Sequence, residues 1–124
     1  MRTYLSALVA LVVLFIAHIL GNSFDFYTRI TGYDIPMHIL GGIGIGFSIV
    51  AVLRSCTFKI DSRYWVAIIF VFIGGFLWEL FEAYYGIAGA PVGTKAYYID
   101  TIKDLFDDTL GGLLVVYIEK HRKK

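Results

Sequence analysis

Four apolar stretches, at about residues 4–20, 37–53, 64–85 and 101–118, alternate with short polar and charged segments along this chain. Each approaches the ~20 apolar residues a bilayer-crossing helix needs, the shorter ones lying near the ~17 lower bound. Lipid cannot satisfy exposed backbone groups, so helices are the spanning form such blocks take. The pattern predicts an all-α membrane protein with four transmembrane helices in a single domain, 1–124. A secretory signal also begins with a basic residue such as Arg2 ahead of an apolar run. Here His18 interrupts the run and Gly21-Asn22-Ser23 offers no A-x-A-type cleavage site, so the block reads as the first helix.

Polar residues within the blocks fall on stripes. In the second block Asp34, His38, Gly41, Ile45 and Ser48 share one face, and Gly42 and Gly46 supply a close-packing surface. In the third, Gly75, Glu79, Glu82 and Gly86 align, so the two carboxylates are expected to point the same way. In the fourth, Asp100, Asp104, Asp108 and Gly111 align, with Asp107 to one side and Asp108 ~12 Å below Asp100. Asp34, beside Pro36, and Asp100 both double as helix-start caps. His18 stands near the outer end of the first block, where an ordinary interfacial histidine bonds a neighbouring group. The segment 85–99 is rich in glycine and carries Pro91; it is either a lid over the outer mouth or a plain connector.

A short repeat links two of these faces. Asp34-Ile-Pro-Met-His38-Ile-Leu-Gly41-Gly42 and Asp104-Leu-Phe-Asp-Asp108-Thr-Leu-Gly111-Gly112 share D-x-x-x-[H/D]-x-L-G-G. Two helical hairpins related by a pseudo-twofold axis along the membrane normal would bring these faces together.

Composition sharpens the class. Of 124 residues 58% are hydrophobic, the mean hydropathy is +0.72 and only two are proline, which excludes an ordinary soluble domain. Charge sets the orientation. With four spans, Arg2, Arg54, Lys59, Arg63, Lys120, Arg122, Lys123 and Lys124 lie on one side, against Arg29, Lys95 and Lys103 on the other. The positive-inside rule then places both termini in the cytoplasm, in a multi-pass protein of the plasma (inner) membrane. The basic tail reads as an anchor on anionic lipid rather than a nucleic-acid patch. Cys56 is alone, which excludes a disulfide framework.

The acids run the opposite way. Asp25, Asp34, Glu79, Glu82, Asp100, Asp104, Asp107 and Asp108 lie on or just inside the outer face, against Asp61 and Glu119 inward. So many carboxylates in a poorly hydrated place must take up protons or a cation. The candidate metal ligands are Glu79, Glu82, Asp104, Asp108 and His38, with Asp100 and His18 weaker; His38, Asp34 and Glu79 are the candidate catalytic groups. An oxygen-rich set with imidazole and no thiolate suits Mg²⁺, Mn²⁺ or Fe²⁺, and Zn²⁺ too; no motif implies an organic cofactor.

Asp34 with His38, Glu79 with Glu82, and Asp100-Thr101 with Asp104 and Gly111 also carry a family likeness. The chain resembles the VanZ-like group and, more closely, the YjdF-type small inner-membrane proteins, over roughly Asp34 to Gly112. Met37 and Ile39 depart from that pattern, where relatives have an acid and a Phe. The resemblance implies an envelope or surface-lipid role without naming a reaction. Three readings follow. One is a divalent-cation site that binds or acts on an envelope lipid or its head group, in the manner of a metal-dependent lipid phosphate hydrolase or transferase. The others are a proton- or ion-coupled transporter, for which four helices call for an oligomer, and a non-catalytic structural subunit.

Overall fold

The computed structural model describes residues 1–56 and 60–122, with Ile60 and Asp61 described in backbone only. Its regular structure is helical throughout the described residues: α1 (Arg2–Ser23), α2 (Phe26–Arg29), α3 (Asp34–Arg54), α4 (Ile60–Tyr85) and α5 (Lys95–His121). The four long helices contain the four apolar blocks, and each extends beyond its block. The aromatic segment after α1 holds the single-turn α2, which Asp25 enters in a left-handed conformation (φ 56°).

The largest boundary difference is at α5, which begins at Lys95 rather than near Thr101. Its cap is Thr94, whose Oγ1 accepts the backbone N–H of Tyr97, so Asp100 is not the cap. Lys95-Ala-Tyr-Tyr-Ile is not a continuous apolar run, and hydropathy alone therefore starts the helix too late. Asp34 does not cap either: it is the first residue of α3, and its side chain turns toward other partners.

α3 is the central element, lying against α1, α4 and α5, while α4 also packs on α5. Glycine permits the closest of these approaches. A Cβ on Gly42 would run into the backbone carbonyl of Asp108, and one on Gly111 into that of Ile39, so α3 and α5 touch backbone to backbone. Gly46 sits against Val115, and Gly74 against Ile45. Below this seam, Ala7, Phe47, Val50, Tyr64, Ala67 and Val115 form a dry core. Most of the other large apolar side chains, among them Leu5, Phe15, Phe70, Leu77 and Leu113, are exposed. In water that surface would be an aggregation hazard; against acyl chains it is the expected exterior.

Among the described residues, three helices are long and apolar enough to cross a membrane: Arg2–Ser23, Asp34–Arg54 and Ser62–Tyr85. The expected fourth span, in α5, is not among them. Asp100, Lys103, Asp104, Asp107 and Asp108 lower its hydropathy; of these, Asp104, Asp107 and Asp108 are buried in the bundle.

Candidate functional site

The repeat residues meet where α3 and α5 cross. His38 is 6% exposed and surrounded by carboxylates. Its Nε2 lies 3.4 Å from Asp34 Oδ1 and 3.7 Å from Asp104 Oδ2, and its Nδ1 lies 3.3 Å from Asp108 Oδ2. Helical spacing places Asp34 one turn before His38 on α3, and Asp104 one turn before Asp108 on α5. Gly42 and Gly111 set the depth of the meeting. A third small residue completes it, since a Cβ on Gly75 of α4 would collide with the Asp108 carboxylate.

These separations carry chemical information. A charge-assisted N–H···O⁻ bond closes to ~2.7–2.9 Å. Ligand atoms around one tetrahedral ion with ~2.0–2.2 Å bonds stand about 3.3–3.6 Å apart. One ligand atom each from Asp34, His38 and Asp104 lies within 4.8 Å of the others. The three His38 separations, from 3.3 to 3.7 Å, exceed the tight hydrogen-bond length, and the grouping of Asp34, His38 and Asp104 is one that could hold an ion.

Lys103 occupies the other side of the same carboxylates. Its Nζ lies 3.4 Å from Asp34 Oδ2, 3.0 Å from Asp104 Oδ1 and 2.9 Å from Asp100 Oδ1. Asp34 and Asp104 therefore each divide their oxygens, one toward His38 and one toward the ammonium. Sequence reasoning counts Lys103 only among the outer bases. The available signal was its position one turn from Asp100 and Asp107, on the acidic side of its helix.

The remaining candidates are spread around this centre. Glu79 is 4% exposed; its Oε2 accepts from the Thr101 hydroxyl at 2.8 Å, and its buried Oε1 has no partner. Asp107, which was not among the candidate ligands, is buried with an unpartnered Oδ2. Glu82 accepts from Trp78 Nε1 at 2.8 Å within its own helix, so the two glutamates of α4 take different partners. Asp100 meets Lys103 and lies under the 86–94 connection, where a Cβ on Gly89 would approach its Oδ2 to 2.7 Å.

His18 belongs to a separate group. Its Nδ1 is 2.9 Å from the Tyr27 hydroxyl and its Nε2 is 3.0 Å from Asn22 Nδ2. The tautomer satisfying both donates from Nδ1 to Tyr27 and accepts from Asn22, which occupies both ring nitrogens. Burial, reinforced by Tyr33 and Asp34, pushes the Tyr27 hydroxyl up to about 12, so it stays neutral.

The far end of the bundle holds a polar cluster with no counterpart in the sequence reading. The Glu119 side chain is fully buried and is gripped by Arg54 Nη2 at 2.5 Å and Arg122 Nη1 at 2.6 Å. Arg54 also donates to Thr3 Oγ1 at 2.6 Å, and Arg122 to Ser6 Oγ at 2.9 Å. Arg122 stands one turn from Glu119, but Arg54 and Thr3 come from distant segments that no local pattern brings to it.

In comparisons with known proteins, a family described as "Predicted membrane protein (DUF2238)" matches residues 1–124. No curated protein and no solved structure matches.

Proposed function

The chain belongs to the DUF2238 family of predicted membrane proteins, and from that premise and the site's geometry we propose that it is a membrane-embedded divalent-cation site open toward the outer leaflet. His38 Nε2, Asp34 Oδ1 and Asp104 Oδ2 are the ligands. Asp108 holds the other imidazole nitrogen and fixes its tautomer, as a carboxylate behind a metal-bound histidine does. The observation that supports this reading is the grouping of one ligand atom each from Asp34, His38 and Asp104 within 4.8 Å of one another at the α3–α5 crossing.

One imidazole with two carboxylates suits Zn²⁺, Fe²⁺ or Mn²⁺ better than Mg²⁺, which favours all-oxygen sets. Three protein ligands leave further positions open for water or for a phosphoryl or carboxyl oxygen. The ligand class is thus the head group of an envelope lipid. If an ion were bound there, the unpartnered Glu79 oxygen, like that of Asp107, would be a candidate base for water it activated. α5 completes the bundle as a fourth span, in two hairpins of a single unit. The charge asymmetry supports cytoplasmic termini in an inner membrane. The dry core beneath Asp108 favours a one-sided site over a conducting path.

A second reading rests on Lys103: the ammonium and a protonated His38 neutralise the acids, and the cluster only ties helices together. Metal analysis of detergent-purified protein separates the two. The first reading expects a co-purifying divalent ion that His38→Ala and Asp104→Asn lose and Glu82→Gln retains. It fails if no ion co-purifies and titration with Zn²⁺ and Mn²⁺ gives no saturable binding.

A further inference from the structure

At the end of the bundle opposite the acidic site, residues of α4 and α5 line a groove of about 450 Å³. Its walls are Tyr64, Trp65, Ile68, Leu113 and Val116, and Lys120 stands at its mouth. The walls are apolar, and Trp65 and Leu113 are 70% and 49% exposed. A polar ligand would lose hydration here with nothing in return.

The mouth has the opposite character. Lys120 Nζ lies 5.5 Å from the centre of the Tyr64 ring. Among the described residues no carboxylate lies within ion-pairing distance of it, whereas Arg54 and Arg122 at the same end are committed to Glu119. An ammonium that has no carboxylate partner among the described residues, at the head of an apolar furrow between two helices, complements one kind of molecule: an acyl chain ending in an anion. Tyr64 and Trp65 fit the same level, because such rings settle at the membrane interface.

We propose that this groove binds an anionic phospholipid, its chain along Ile68, Leu113 and Val116 and its phosphate on Lys120. Lys120 lies more than four helical turns, ~24 Å, beyond Asp104, so this site is separate from the acidic one. The lipid binds without a metal.

Trp65 reports on the site directly, since Trp78 is the chain's only other tryptophan. The full-length protein is reconstituted in bilayers containing brominated phosphatidylglycerol or brominated phosphatidylcholine at equal mole fraction. The difference between wild type and W65F isolates the Trp65 quenching. Expected is a roughly fivefold preference for phosphatidylglycerol, as one lysine at an anionic surface provides. K120Q abolishes the preference and K120R retains it. Equal quenching by the two lipids in the wild type, or a preference that survives K120Q, overturns the proposal.

Discussion

At the scale of single residues, the site is a matter of which oxygen faces which nitrogen. Three carboxylates face the His38 ring, two at one nitrogen and one at the other. Asp34 and Asp104 share Nε2, while Asp108 stands alone on Nδ1. Asp108→Asn keeps the shape but presents an amide nitrogen or oxygen where a carboxylate oriented the ring. On the proposed cation reading, divalent-ion affinity, measured by calorimetric titration, falls about 10–100-fold. Lys103→Met tests the opposite partner. It leaves Asp104 without its ammonium, so stability in detergent drops by ~1–3 kcal/mol, the lower part of that range allowing for Lys103's exposure. Zn²⁺ at 100 times its Kd is expected to restore ~2.7 kcal/mol, because only the folded state binds it. If Zn²⁺ restores nothing, the ammonium is the resident cation.

At the scale of the helix, glycine decides how close the two halves of the site come. Gly41 and Gly42 are adjacent yet face different surroundings. A Cβ on Gly41 would make an ordinary 3.5 Å contact with Asp108 Oδ1, whereas one on Gly42 would meet the backbone of Asp108. Gly41→Ala is therefore expected to leave the thermal midpoint unchanged or slightly raised, by the helix preference for alanine. Gly42→Ala forces α3 and α5 apart and costs about 1–3 kcal/mol. The sequence made much of this element legible. The apolar blocks marked every long helix, and D-x-x-x-H with its trailing glycines marked the face that packs on α5. Periodicity reports faces and not partners, so it could not foresee that Glu82 would fold back on Trp78 or that Thr101 would take Glu79. The α5 start was misplaced because a threonine cap, not an apolar run, begins it. Lys103 was in plain view, but a lysine among aspartates reads as surface charge until a second helix brings Asp34 to it.

At the scale of the whole molecule, two polar clusters close the ends of the bundle with an apolar layer between them. Glu119 joins the ends of α3 and α5 to the start of α1 through Arg54, Arg122 and Thr3. Glu119→Ala removes the shared anion and leaves two guanidiniums facing each other, each still partly hydrated. Unfolding free energy is expected to fall by ~2–3 kcal/mol, below the 3–5 kcal/mol of a fully buried broken pair. Orientation has its own test in Cys56, the chain's one cysteine, exposed at the end of α3 that carries Arg54. With cytoplasmic termini, an impermeant maleimide labels it in inverted vesicles and spares it in intact cells. Labelling in intact cells reverses the topology.

The dry layer of Phe47, Val50, Ala67 and Val115 also shapes how the protein tolerates change. These four side chains offer no hydrogen bond or ion pair through which a disturbance at His38 would reach Glu119. Asp108→Asn and Glu119→Ala should therefore combine additively, within ~0.3–0.5 kcal/mol. A lineage carrying this bundle is free to change the cluster at one end without disturbing the ion pairs at the other.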